Sequence, residues 1–170
     1  QDTCFRCHGV MGQRQLHIDQ ADAMFNLEMV YATDPADPNH KYGALARNGV
    51  SCTVCHQIVD DGRPLHEIVT GQFAVSTPGE AGPGLSYIYG PFADPATRPM
   101  VESLGMKPVA GDYIKSSRLC ASCHTVYLPI YDAEGNKVGD DFEQTTYLEW
   151  INSAYQNEYG AGSDPKTCQD

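Results

Sequence analysis

Three times in 170 residues the chain repeats Cys-x-x-Cys-His: Cys4-Phe-Arg-Cys7-His8, Cys52-Thr-Val-Cys55-His56 and Cys120-Ala-Ser-Cys123-His124. No other feature limits the fold so tightly, because each run commits two thiols and an imidazole to one bound group. Two thiols three positions apart suit thioether bonds to the two vinyl groups of one haem, and the adjacent imidazole then coordinates its iron. Structural zinc and thiol-disulfide centres also use Cys-x-x-Cys. Neither explains a histidine directly after every pair, and zinc sites usually combine two pairs around one metal. The motifs therefore predict three covalently attached haems of the c type, held by Cys4, Cys7, Cys52, Cys55, Cys120 and Cys123.

A six-coordinate iron needs a second axial ligand. Outside the motifs the chain has three more histidines, His17, His40 and His66, which match His8, His56 and His124 in number. The tally predicts two imidazoles per haem. Methionine is the competing ligand and raises the reduction potential. Met24 and Met29 lie in a helical-looking apolar run and read as core, whereas Met11, Met100 and Met106 lie in segments flanked by glycine or proline.

The seventh cysteine, in Lys166-Thr-Cys168-Gln-Asp170, stands at the first position of another such motif. A following Cys-His would complete a fourth haem site, and the chain is then expected to be part of a longer cytochrome. A free thiol or an interchain disulfide is the other reading of Cys168. Four haems would need eight axial ligands, leaving one iron open, Met-ligated or completed from elsewhere.

Hydrophobic residues make up 41% of the chain, and 16 glycines and 11 prolines break it into many turns. Such a polypeptide builds a poor core alone, so the haems are expected to supply apolar surface. A mainly α fold with extensive irregular loops follows, of short helices and a small hairpin packed around haems. Expected helices cover Asp19 to Tyr31, with Asp19 as N-cap, then Pro38 to Arg47, and a last one opening with Thr146 and Glu149 as a capping box. Residues 60–109 read as a turn-rich connection, with Tyr87 to Tyr89 as a short strand and Leu65 to Phe73 undecided. Val126 to Tyr131 and Lys137-Val138 flank a hairpin turn. The chain reads as one multihaem unit over 1–170, with lobes at 1–60 for two haems and 61–170 for the third.

The formal charge of -11 argues against nucleic acid and anionic lipid, and favours basic or neutral redox partners. Val126 to Tyr131, the longest apolar run, is too short to span a bilayer. Thioether-bound haem is attached on the oxidising side of prokaryotic membranes, so a periplasmic or cell-surface location is expected.

Leu119-Cys-Ala-Ser-Cys-His-Thr125, Glu143-Gln-Thr-Thr-Tyr-Leu-Glu-Trp-Ile-Asn-Ser153, Thr167-Cys-Gln169, Gly49-Val-Ser-Cys-Thr-Val-Cys-His-Gln57 and Tyr89-Gly-Pro-Phe92 resemble stretches of large periplasmic or surface multihaem c-type cytochromes. The resemblance implies a multihaem cytochrome architecture, electron transfer and a longer parent protein. Two functions stay open: an electron carrier with closed bis-histidine haems, and an oxidoreductase with one open haem acting on a small inorganic nitrogen or sulfur substrate. Within the first, a repeating assembly or filament joined through haem contacts is a variant. Asp34, Asp37 and Asn39, like Gly139-Asp-Asp141, lack the spacing of a calcium loop and read as solvated turns.

Overall fold

A computed structural model describes residues 2–170, and it corrects the expectation of a mainly α fold. Among the described residues there are nine α-helices and three two-stranded sheets, with 37% of the chain helical and 17% in strands, a mixed α/β arrangement. Much of the correction comes from residues 60–109, which were expected to be irregular. Contacts divide the chain into two compact units, Gln1–Cys55 and His56–Asp170.

The first unit holds helices α1 (Asp2–His8), α2 (Val10–Asp19), α3 (Leu27–Val30) and α4 (His40–Arg47). Its core is Leu16, Phe25, Tyr42 and Ala46, with Phe5, Ala23, Met29 and Val30 packed against it. Helices α2 and α4 meet closely at Gly12, where a Cβ would lie 2.3 Å from the Tyr42 carbonyl oxygen. The carboxylate of Asp2, 4% exposed, accepts from the Phe25 N–H at 3.0 Å and the Gln13 amide at 3.3 Å, with the Arg6 guanidinium 3.7 Å away. This ties both helices of the opening pair to the segment that carries Phe25. The helix expected over Asp19 to Tyr31 is instead split: Asp19 ends α2, and Asn26 starts α3 by accepting the Met29 N–H at 3.1 Å. Met24, read as core from the sequence, is 67% exposed.

Helix α5 (Cys52–Gln57) leads into the second unit. Strands β1 (Ile58–Val59) and β2 (Ala74–Val75) pair antiparallel around helix α6 (Leu65–Ile68). Next come β3 (Ser86–Gly90), helix α7 (Arg98–Leu104) and β4 (Met106–Ala110), a β-α-β crossover whose two strands run parallel. Gly105 closes α7 in the left-handed region, where its N–H satisfies last-turn carbonyls. A 3-10 turn (Tyr113–Lys115) precedes α8 (Ser117–His124), followed by the hairpin β5 (Val126–Tyr131) and β6 (Lys137–Gln144), then α9 (Thr146–Ile151). Asp132 shapes the hairpin turn by accepting the N–H groups of Glu134 and Asn136 at 3.1 and 2.8 Å. The residue before α9 is Thr145, whose hydroxyl donates to Glu149 at 2.7 Å, one position earlier than the expected capping box. No helix of the described residues is long and apolar enough to cross a membrane.

Candidate haem-attachment sites

Each Cys-x-x-Cys-His run is helical. The first and third close α1 and α8, and the second fills most of α5. On a helix, positions i, i+3 and i+4 share one face, so each run directs two thiols and an imidazole to the same side. Cys4, Cys52, His8 and His124 are exposed, while Cys7, Cys55, Cys120, Cys123 and His56 are half-buried. The motifs thus offer their reactive groups at the surface, where a planar group can be attached.

His56 carries a further arrangement. Its Nδ1 lies 2.6 Å from the carbonyl oxygen of Tyr89. A carbonyl only accepts, so Nδ1 donates and carries the proton, which leaves the lone pair on Nε2. Metal-bound histidines are held in this way, with the second nitrogen donating to a backbone carbonyl. Sequence reading placed Tyr89 on a strand but gave it no part in the site, because the contact is made by a backbone atom and leaves no side-chain signal.

Both ends of α8 are fixed. At its start the Ser116 hydroxyl accepts the Arg118 N–H at 3.1 Å, and Glu158 accepts that N–H at 3.0 Å and the Ser116 hydroxyl at 2.5 Å. The other Glu158 oxygen accepts from the buried Tyr147 hydroxyl at 2.6 Å; burial, and then this bond, hold Tyr147 above its usual pKa. At the far end the Gly71 N–H donates to the Ser122 carbonyl at 2.7 Å and the Thr70 N–H to that of Thr125 at 3.0 Å. These bonds answer carbonyls that the last turn of a helix leaves unpaired.

The three histidines outside the motifs differ. His17 on α2 has its Nδ1 3.3 Å from the Gln13 amide nitrogen, and its Nε2 3.2 Å from an Asp2 oxygen. That second approach is close enough for an ion pair but not aligned as a hydrogen bond, and Nε2 is shut off from solvent. His40, the first residue of α4, buries Nδ1 with no hydrogen-bond partner among the described residues. A ring nitrogen left so costs about 1–3 kcal/mol, and ligation to iron is one way to use it. For His17 to ligate through Nε2, Nδ1 must hold the proton and the Gln13 amide must turn its oxygen toward it. His66 on α6 is 77% exposed, with Glu67 3.8 Å away.

Among the described residues no three His, Cys, Asp or Glu side chains converge to hold a metal ion. A haem iron makes no such demand, because the porphyrin supplies four ligands and the chain one group per face. Of the methionines, Met29 packs on the core of the first unit and Met11 receives the Thr53 hydroxyl at 4.0 Å from its sulfur. Cys168 is exposed, but its backbone is anchored: its N–H donates to the Ser117 hydroxyl at 2.9 Å, and the Gln169 amide donates to the Ile114 and Ser116 carbonyls. No family model, curated protein or solved structure matches the chain.

Proposed function

We propose that this chain transfers electrons through covalently bound c-type haems, one at each of the three Cys-x-x-Cys-His helices. The carrying observation is that all three runs form helices whose thiols and imidazole share a face. The proton fixed on His56 Nδ1 by Tyr89 supports it, since that tautomer has Nε2 ready as a ligand. Haem c supplies a one-electron iron couple. In this reading Cys4 and Cys7, Cys52 and Cys55, and Cys120 and Cys123 form the thioethers. His8, His56 and His124 ligate one face, and His17, His40 and His66 supply the opposite faces. Irons with both faces filled exchange electrons without binding small substrates. Export to the periplasm or cell surface and a redox-protein partner follow from the attachment chemistry.

One observation favours a second reading, an oxidoreductase with one open iron: His66 is 77% exposed, which leaves one face without a shielded imidazole.

The test is production in a host that matures c-type cytochromes, followed by the alkaline pyridine spectrum and peptide mass analysis. Thioether-bound haem on each of the three cysteine pairs is expected, and replacing one pair by serine should remove one haem. A chain that matures without covalent haem sinks the proposal.

A further inference from the structure

We propose that the β5–β6 hairpin is the docking surface for a basic redox protein. A two-stranded hairpin is marginally stable alone and needs a third partner. This one leaves apolar side chains in solvent: Tyr131 is 58% exposed and Val138 63%, with Tyr127 and Phe142 also exposed and Ile130 exposed on the face opposite Tyr127. Tyr127 and Phe142 face each other across the strands with ring centroids 4.0 Å apart. Clustered exposed aromatics of this kind mark interaction surfaces.

The charges around that patch select the occupant. Between the strands and on β6 stand Asp132, Glu134, Asp140, Asp141 and Glu143 against one cation, Lys137, which is itself paired with Asp140 at 2.8 Å. A second copy would bring the same carboxylates to the same place, on a chain of formal charge -11. Like charges set opposite one another in this way oppose self-association. Nucleic acid and anionic membranes meet the same repulsion. A porphyrin held by Cys120 and Cys123 would be attached next to the root of the hairpin, since α8 ends at His124 and β5 begins at Val126. The most exposed residues, Tyr131 and Val138, stand at its tip, about 17 Å along the strand from Val126. A protein with an apolar centre and a lysine- or arginine-rich rim fits both features, the apolar side chains giving contact area and the carboxylates steering the encounter. That the partner is a redox protein rests on the electron-transfer reading, because β5 begins two residues after His124. Its charge and apolar centre are read from the hairpin alone.

The experiment measures binding of the haem-loaded chain to a small, strongly basic monohaem cytochrome c by sedimentation velocity, at low and high salt. Two variants are compared: Glu134→Gln/Asp141→Asn/Glu143→Gln, and Tyr131→Ser/Val138→Ser. Wild-type binding should weaken as salt rises. The charge variant should lose about tenfold in affinity and have a shallower salt dependence, and the apolar variant should lose about tenfold with the salt dependence kept. Absence of wild-type binding, or equal binding by all three chains, overturns the assignment. So does self-association that the variants abolish, which makes a second copy the occupant. A changed spectrum of the third haem in Tyr131→Ser/Val138→Ser also overturns it, because the patch then covers porphyrin. The haem content of the purified chain is read separately from its pyridine spectrum, so a failure of covalent attachment counts against the electron-transfer reading, and absent binding by the fully loaded chain counts against the docking surface alone.

Discussion

The backbone N–H of Thr70 donates to the carbonyl oxygen of Thr125 at 3.0 Å, while Thr70 itself holds φ at +60°. It is the one residue other than glycine with a positive φ among the described residues, and a β-branched side chain there costs about 1–2 kcal/mol. Its hydroxyl oxygen also accepts the Tyr127 N–H at 3.1 Å. One strained residue therefore joins the segment after α6 to the end of α8 and the start of β5.

That arrangement separates two substitutions at Thr70. Valine keeps the strain and leaves the Tyr127 N–H without its acceptor, for a loss of about 1–3 kcal/mol. Glycine loses the same acceptor but relieves the strain, so it should cost about 1 kcal/mol less than valine. Urea unfolding midpoints of the two variants measure the difference, and a glycine variant less stable than the valine one contradicts this account.

Gly12 should not accept a methyl group. A Cβ there would stand 2.3 Å from the Tyr42 carbonyl and 2.6 Å from the Ala46 Cβ, so α2 and α4 would have to separate. Gly12→Ala should destabilise the first unit by about 1–3 kcal/mol despite the better helix propensity of alanine. Gly135, in the hairpin turn, has open space instead but φ +85°, so Gly135→Ala should cost only its local strain. Thermal unfolding of the two variants compares packing against backbone conformation.

Stability should fall in strong alkali through Tyr113. Burial pushes its hydroxyl up from 10.0 to about 12. The folded state then keeps a proton that the unfolded chain releases. The contribution is fully present below pH 10 and is lost as pH rises toward 12. Tyr147, raised in the same direction, adds to the slope. Tyr113→Phe should flatten the decline of the melting temperature across that window without abolishing it.

Closed coordination has a spectroscopic signature. The reduced protein should show six-coordinate low-spin haem that carbon monoxide leaves nearly unchanged, and His17→Ala, His40→Ala and His66→Ala should each open one haem to the gas. Rapid carbonyl formation in the unmodified protein points to the oxidoreductase instead. A silent His66→Ala variant, with His40→Ala active, assigns the open face to the exposed residue.

The sequence exposed the candidate site more readily than the fold. The three Cys-x-x-Cys-His motifs declare themselves by fixed residue types at fixed spacing, and all three fall on helices. Helix α4 and the hairpin were legible for a related reason, since His40–Arg47 ends against Asn48-Gly49 and Asp132-Ala-Glu-Gly-Asn136 is a turn by composition. Helix α2 was not, because its buried positions are Val10, Gly12, Gln13 and Leu16, and neither glycine nor glutamine contributes an apolar periodicity. The apparent periodicity that followed it ran through Ala23, Met24, Leu27, Val30 and Tyr31, of which Ala23 and Val30 pack on the core while Met24, Leu27 and Tyr31 are exposed. The parallel pair β3–β4 was hidden by the helix between its strands and by Pro108, which is tolerated because a two-stranded sheet has only edge strands. Tyr89, Thr70 and Glu158 act through long-range contacts that local pattern cannot reveal.

Glu158 at one end of α8 and Thr70 with Gly71 at the other leave the hairpin as an excursion between two anchored points. The chain departs after Thr125 and returns at Thr145 to a helix whose Tyr147 is bonded to Glu158. Length changes at the tip, around Glu134 and Gly135, therefore need not reach the thiols of Cys120 and Cys123. The hairpin is an exchangeable cassette, whose tip can vary in length and sequence while the neighbouring helix α8 keeps both of its anchors.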